Sequence, residues 1–208
     1  MLMKLFIDFD GVLFNSKSFR NDLISEIQKS GFSFQEVSDT YNAECLDGNY
    51  LPMDHLLRLK GIKDFNIRLA EARIENLVTN CSKYLYADVA DSLKLISKLK
   101  NYTVELITLG HPEYQPRKVK LSGIAKYFKE IHYTSRPKVE YLVEVMEKND
   151  KFMIVDDRGD TLESVSKVFP KVSAIEMRRE ETVHDPAEMP SHFSGPKITN
   201  LKQLIEIL

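Results

Sequence analysis

The sequence predicts an α/β fold, in which a Rossmann-like parallel sheet lies between two layers of helices and a helical domain is inserted after the first strand. Short apolar runs with β-branched residues occur at 3–9, 103–107, 152–155 and 172–175, with a weaker run near 130–133. Helical patterns separate the later runs, and this alternation is typical of a parallel sheet in three layers. The segment between the first two runs contains no convincing strand.

Helices of the sheet-forming part are predicted from apolar residues at helical spacing over 88–100, 138–148 and 160–169. A last helix is expected over 201–208, with Asn200 as its N-cap. Each of the three earlier helices precedes or follows a predicted strand, as crossover connections in a parallel sheet do.

The segment after the first strand is predicted to contain helices and no strand. Helices are predicted over 17–30, near 53–60 and near 64–80, with Gly31 ending the first of them. The stretch 44–52 is expected to be a loop. We therefore expect a helical domain inserted into a sheet domain.

The chain is long enough for that division, with 208 residues of which 43% are hydrophobic. We assign 1–13 plus 88–208 to the α/β core domain and 14–87 to the helical domain. The stretch 178–197 is rich in Pro and charge, and is expected to form a loop on the core surface.

Charge and composition exclude several classes of partner. Lys and Arg number 29 against 31 Asp and Glu, so no strong field favours a nucleic acid polymer or an anionic membrane. The apolar stretches are too short to span a bilayer, and the N-terminus does not resemble a signal peptide. The cysteines Cys45 and Cys81 suit a reducing compartment. These features predict a soluble cytoplasmic protein, and no pattern predicts an oligomeric state.

Two acids, Asp8 and Asp10, follow the first predicted strand, and Gly11 after them allows a sharp turn. In a continuing strand they would share a face, and burying both would be costly without a compensating charge. At the carboxyl end of a strand in an open α/β sheet they would lie where ligands bind. A carboxylate there can ligate a divalent cation, act as a nucleophile or exchange a proton. A pair of solvated strand-end acids would have the same pattern.

A second group of acids follows the run at 152–155. Asp156 and Asp157 come directly after it, ahead of Asp160 and Thr161. Because magnesium binds through one or two carboxylates plus phosphate and water, Asp156 and Asp157 are candidate ligands. Asp160 or Thr161 is expected to cap the following helix.

A third strand end carries a hydroxyl and a glycine instead of acids. Thr108, Leu109 and Gly110 end the run that begins at 103, and this hydroxyl with the backbone N–H groups after it can hold a phosphate oxygen. Lys138 opens the helix ahead of the second acid group, where its charge can neutralise a phosphate. Each residue alone is also common as an ordinary strand end or a solvated lysine.

In this order, the pieces resemble the haloacid dehalogenase superfamily of phosphohydrolases, in its phosphoglycolate-phosphatase-like branch with a helical cap. The segment 8–13 (DFDGVL) is similar to the first motif, 107–110 (ITLG) to the second, Lys138 to the third and 154–161 (IVDDRGDT) to the fourth. The helical insert and the run 113–128 are also similar to that branch.

The resemblance implies a magnesium-dependent phosphatase that acts on a small phosphorylated metabolite. Asp8 would attack phosphorus and form an aspartyl-phosphate, while Asp10 would protonate the leaving oxygen and then activate water. The acid at Asp10 favours phosphate ester hydrolysis, since the dehalogenase and phosphonatase branches usually lack one there. A phosphomutase on a sugar phosphate, or a non-catalytic phosphate-binding protein on the same fold, are the alternatives.

The resemblance also implies which residues bind the phosphoryl group and the metal. The phosphoryl oxygens would be held at Thr108, Leu109, Gly110 and Lys138. Magnesium would be bound by Asp8, by the backbone carbonyl of Asp10 and by an acid of the fourth motif.

Two assignments within these motifs have competitors. Matching the fourth motif to the common Gly-Asp pattern makes Asp157 the ligand and Asp156 a supporting acid, whereas a match through Asp160 makes Asp156 the ligand. We favour Asp157 because the apolar residues of the following helix then keep their helical spacing.

The third motif has competitors in Lys118 and Lys120. We favour Lys138 because it opens the helix just before the last motif strand, and we expect the other two to be solvated.

Substrate selectivity is expected to come from the helical cap. The candidates to meet a substrate there are Tyr41, Tyr50, His55, Arg58 and Arg68. Each has an ordinary alternative as a cap surface or cap core residue. His111, after the second motif, is a candidate to line the site.

Overall fold

A single parallel sheet organises the computed structural model, which describes residues 2–45, 50–180 and 191–208. Within these residues the sheet has six strands in the order β3-β2-β1-β4-β5-β6. The strands are β1 (Met3–Ile7), β2 (Tyr102–Leu109), β3 (Glu130–Thr134), β4 (Phe152–Asp156), β5 (Ser173–Met177) and β6 (Lys197–Ile198). The five predicted runs correspond to β1–β5, and β6 is an addition that the sequence did not indicate.

The strand order reverses between β1 and β4, which is where open α/β sheets bind ligands. Ile7 at the end of β1 pairs with Leu106 on one side and with Val155 on the other. Asp8, which follows β1, and Asp156, the last residue of β4, therefore lie side by side at this edge of the sheet.

Helices cover both faces of the sheet, as predicted. They are α5 (Val89–Ile96), α6 (Tyr114–Leu121), α7 (Lys138–Val145), α8 (Gly159–Val168) and α9 (Leu201–Ile207). Leu5 and Ile7 belong to the core cluster that includes residues of α5 and α9, whereas Phe6 packs with α7 and α8. This alternation along β1 follows from the period of two in a strand.

Four α-helices precede α5 between β1 and β2, and no strand interrupts them within the described residues. They are α1 (Ser16–Gln28), α2 (Phe34–Glu44), α3 (Pro52–Ile62) and α4 (Ile67–Thr79). The sequence reading missed α2, which begins with a capping box between Ser33 and Glu36. Part of the predicted loop at 44–52 falls outside the described residues.

The two connections between the helical segment and the sheet run beside one another. Tyr86 N–H donates to the Leu13 carbonyl at 3.1 Å, and Asn15 N–H donates to the Tyr84 carbonyl at 2.8 Å. The predicted domain boundaries at 13/14 and 87/88 fall on these connections. The division into two domains stays a prediction.

Two helix-capping predictions had different outcomes. Asn200 caps α9, because its side chain accepts from Gln203 N–H at 3.1 Å. The prediction for α8 was wrong: Arg158 occupies the N-cap position without a side-chain cap bond, and Asp160 lies in the first turn, paired with Arg158. Of the predicted loop at 178–197, residues 181–190 lie outside the described part. None of the described helices is long and apolar enough to cross a membrane.

Candidate active site

The loop after β1 is built around a glycine that no other residue could replace without displacement. Gly11 has φ 75°, in the left-handed region. A Cβ placed on it would lie 1.9 Å from Oδ2 of Asp157. The bare glycine therefore permits the turn and also leaves room for an acid from the end of β4.

Three carboxylates meet at the reversal point of the sheet. Oxygens of Asp8, Asp156 and Asp157 lie within 4.8 Å of one another, and all three residues are buried. The ammonium of Lys138, at the start of α7, lies 2.7 Å from Asp8 Oδ1 and 2.6 Å from Asp156 Oδ2. The structure thus brings together four of the residues that the sequence singled out.

The two acids of the fourth motif have different surroundings. Asp156 is fully buried, and its oxygens accept from the Lys138 ammonium and, at 2.9 Å, from Arg158 N–H. Asp157 lines the cavity described below, and no donor among the described residues bonds its carboxylate. Among the described residues, Asp157 is consequently the acid of this motif whose oxygens accept no hydrogen bond, and its assignment as the metal ligand stays a prediction.

The cluster is short of positive charge. Burial raises the pKa of Asp8 to about 7 in spite of the neighbouring Lys138. Burial, with Asp156 and Asp8 nearby, also raises the pKa of Asp157 well above its usual value. Three carboxylates share one ammonium, so a divalent cation would supply the missing charge. The all-oxygen donor set fits magnesium.

Asp10 points away from this cluster into a second set of donors. Lys118 Nζ lies 2.8 and 3.1 Å from its two oxygens, Gln115 Nε2 donates at 2.6 Å and Ser16 Oγ at 3.0 Å. Burial by itself would raise the Asp10 pKa, but the charge of Lys118 and these hydrogen bonds outweigh it and lower the pKa. The carboxylate of Asp10 is thus not one of the clustered ligand atoms, and only its backbone carbonyl stays a candidate ligand.

Lys118 corrects a prediction, since the sequence reading placed it in solvent. It is buried on α6, and its ammonium lies 4.9 Å from the ring centroid of Phe14 and 5.4 Å from that of Phe9. The signal was present in the sequence: Lys118 follows Tyr114 by four residues, on the apolar face of the helix. Lys120 is exposed, as expected.

A cavity of about 660 Å³ opens over the three-carboxylate cluster. The ends of β1 and β4 and the start of α7 contribute Asp8, Asp157 and Lys138 to its wall. The helical segment contributes Arg20 and Tyr41. This volume is within the range of sites for small ligands.

Comparison with known proteins gave matches by structure alone. No protein-family model matches the sequence. No curated protein matches it either.

Several solved structures superpose over the whole chain. A candidate haloacid dehalogenase-like hydrolase from Burkholderia xenovorans LB400 has a TM-score of 0.81 at 16% identity, covering 99% of this chain and 96% of its own. The candidate HAD-hydrolase YfnB from Bacillus subtilis, solved bound to magnesium, has a TM-score of 0.67 at 15% identity, covering 100% and 98%. The L-2-haloacid dehalogenase from Xanthobacter autotrophicus has a TM-score of 0.62 at 13% identity, covering 100% and 98%.

The chain has the haloacid dehalogenase fold. The predicted fold class is thereby confirmed, including its three layers and the helical insertion after β1. Identities of this size establish the fold alone, so the chemistry has to be argued from the residues of this chain.

Within this haloacid dehalogenase fold, the second motif lies differently from the expectation. The Thr108 hydroxyl is buried and accepts from Gln115 Nε2 at 2.8 Å. Gly110 N–H donates to the Thr134 carbonyl at 2.9 Å, so it is not available to a phosphate in this arrangement. Leu109 does line the cavity.

The residues expected to meet a substrate are scattered. Only Tyr41 among them lines the described cavity. His55 is fully buried, with its ring nitrogens near the Thr40 and Tyr50 hydroxyls at 2.9 and 3.0 Å, so it belongs to the interior of the helical segment. Arg68 is exposed on α4.

Arg58 pairs with Glu44 on the surface. His111 accepts at Nδ1 from Glu113 N–H at 3.2 Å, and with Tyr50 it lines a smaller cavity beside Asp10. The sequence reading also missed Arg20, which lies on the cavity wall one helical turn beyond Ser16.

Proposed function

We propose that this chain is a magnesium-dependent hydrolase of small phosphomonoesters, with Asp8 as nucleophile and Asp10 as general acid and base. The observation that carries the proposal is the cluster of Asp8, Asp156 and Asp157 around Lys138, short of positive charge and open to a cavity. Such a cluster favours a divalent cation together with an electrophile whose charge Lys138 can neutralise.

Asp10 supports a phosphate ester over a haloacid as substrate. A halide leaves as a stable anion and needs no proton, whereas an alkoxide leaving from phosphorus needs one. The chain holds Asp10 two residues from Asp8 with four hydrogen bonds from Ser16, Gln115 and Lys118. A carboxylate held in one orientation by four hydrogen bonds suits a reaction in which a proton is transferred.

In the first step a carboxylate oxygen of Asp8 attacks phosphorus, and the bond from phosphorus to the ester oxygen breaks. Asp10, in its protonated form, gives its proton to that leaving oxygen. Lys138 donates to the phosphoryl oxygens and keeps Asp8 oriented through the contact at 2.7 Å. The products are an alcohol and an aspartyl-phosphate.

In the second step water attacks the same phosphorus while Asp10 accepts its proton. The bond from phosphorus to Asp8 breaks, so that phosphate leaves and the carboxylate is restored. Lys118 and the other donors around Asp10 stabilise the charged form, which is the form that accepts the proton.

Asp8, Asp157 and the backbone carbonyl of Asp10 would hold the magnesium ion. Magnesium supplies positive charge that offsets the carboxylates and the phosphoryl oxygens. We assign to the helical segment the role of a cap over the site, since Arg20 and Tyr41 line the same cavity as Asp8.

The test is release of inorganic phosphate from p-nitrophenyl phosphate, with magnesium and after its removal by EDTA. We expect turnover that depends on magnesium. Release of chloride from 2-chloropropionate without any phosphate release would overturn the proposal in favour of dehalogenation. Transfer within a sugar phosphate without net phosphate release would favour a phosphomutase.

A further inference from the structure

The helical segment contributes to the cavity wall a cation, Arg20, that has no acidic partner in the described part of the chain. Arg20 lies on α1, four residues after Ser16, which bonds Asp10. Four residues of helix correspond to a rise of about 6 Å, so Arg20 lies on the same side of α1, one turn farther from the reacting centre.

Neutral neighbours hold the Arg20 guanidinium in place. Its Nη2 donates to Asn42 Oδ1 at 2.9 Å and to Ser38 Oγ at 3.3 Å. Its central carbon lies 4.9 Å from the ring centroid of Tyr41, within the range of a cation–π contact. The group is therefore fixed by contacts that leave its charge uncompensated.

Arg158, which also lines the cavity, differs from Arg20 in having an acidic partner. Arg158 pairs with Asp160 at 2.6 Å. Among the described residues no carboxylate lies within ion-pair distance of Arg20, and its buried Nε–H has no hydrogen-bond partner. A partly desolvated cation without a counterion is costly, and a ligand anion in the cavity would remove that cost.

We propose that Arg20 binds a second anionic group of the substrate, so that the preferred substrate is a phosphomonoester that also carries a carboxylate or a further phosphate. This inference rests on the phosphatase function proposed above. The planar guanidinium matches both groups, because each offers paired oxygens. Asp8 receives the phosphoryl group at one end of the cavity, and Arg20 selects the substrate at the other.

The experiment compares substrates that differ by one anionic group. 3-Phosphoglycerate is paired with glycerol 3-phosphate, and glucose 1,6-bisphosphate with glucose 6-phosphate. We expect kcat/KM to be about 10- to 100-fold higher for the more anionic member of at least one pair, which is the range of a charge-assisted hydrogen bond. The pair that shows the preference identifies the group as carboxylate or phosphate. Turnover without a preference in either pair would overturn the inference.

Variants assign the preference to this residue. Arg20→Gln should bring the kcat/KM ratio of the preferring pair to within about threefold of one, mainly through KM, and Arg20→Lys should keep part of it. Arg68→Gln removes an arginine from the exposed surface of the same segment and should keep the wild-type ratio. Equal loss in Arg20→Gln and Arg68→Gln would contradict the inference.

If the proposed phosphatase function is wrong, the same assays give a different result from failure of the Arg20 inference. In that case p-nitrophenyl phosphate and all four metabolites release no phosphate. Calorimetric titration of the two pairs into the wild-type protein with magnesium then decides the inference alone. Tighter binding of the more anionic member, lost in Arg20→Gln, supports it, and equal binding overturns it.

Discussion

The candidate site has two halves, each centred on a buried lysine, and they differ in charge balance. Lys138 contacts two of three clustered carboxylates, and the third, Asp157, has no donor among the described residues. Lys118 contacts a single carboxylate, Asp10, which Gln115 and Ser16 also bond. The first half is left with excess negative charge, whereas the second is neutral.

This difference in charge balance gives the Lys138 half the role of binding a ligand and the Lys118 half the role of positioning Asp10. Clustered carboxylates repel one another, so the Lys138 half gains most when a cation and a phosphoryl group arrive. The Lys118 half gains little from a ligand, because its acid is already satisfied and is held in one orientation. Substitutions in the two halves should therefore change different measured quantities.

The largest effect is expected for Asp8→Asn in the Lys138 half. Loss of the nucleophile should lower kcat for phosphate release by about 10⁴-fold or more. Asp64→Asn is the matched control, since the side chain of that acid is 93% exposed between α3 and α4 and should leave kcat unchanged. Full activity in Asp8→Asn would show that the nucleophile is elsewhere.

The next effect is on stability and separates the two acids of the fourth motif. Asp156→Asn removes a partner of buried Lys138 and should lower the free energy of unfolding, measured in urea without magnesium, by about 3 kcal/mol. Asp157→Asn removes repulsion and no hydrogen bond, so it should be neutral or stabilising. The opposite order would show that Asp157 is the supporting acid.

A smaller effect is expected on metal dependence. Asp157→Asn should raise the half-saturating magnesium concentration by about 30-fold, because it removes a ligand with free oxygens. Asp160→Asn provides the control, as this acid lines the same cavity but pairs with Arg158. An equal rise in both variants would point to general electrostatic attraction rather than ligation.

The smallest effect is expected in the Lys118 half. Lys118→Met should lower kcat about tenfold with little change in KM or in the magnesium requirement, because it frees Asp10 to adopt other orientations. Lys120→Met on the exposed side of α6 should match the wild type. If Lys118→Met changed the magnesium requirement instead, the two halves would not be separate.

The Lys138 half was largely predictable from the sequence. Asp8, Asp156 and Asp157 follow buried runs, and parallel strands deliver their carboxyl ends to one edge of a sheet. Lys138 begins the helix ahead of β4, which returns it to the same edge. Local patterns and one topological rule were enough for the three acids, whereas the role of Lys138 was assigned through the family resemblance.

The Lys118 half was not predictable in the same way. A lysine within a helix is usually solvated, and the burial of Lys118 depends on Phe9, Phe14 and Asp10 in a loop that is distant in sequence. Helix α2 was missed for a local reason. Ser33 and Glu36 form a capping box, but the stretch that follows has few apolar residues and so lacks a clear apolar face.

The fit of Asp157 against Gly11 sets a limit on how the sequence can drift. The two residues occupy one volume, since the space that a side chain at position 11 would need is filled by the Asp157 carboxylate. A side chain at position 11 would thus fit only after residue 157 had become shorter. Shortening residue 157 would remove a proposed ligand. The order of change is thus fixed: position 157 can become smaller by itself, whereas position 11 can gain a side chain only after that has happened.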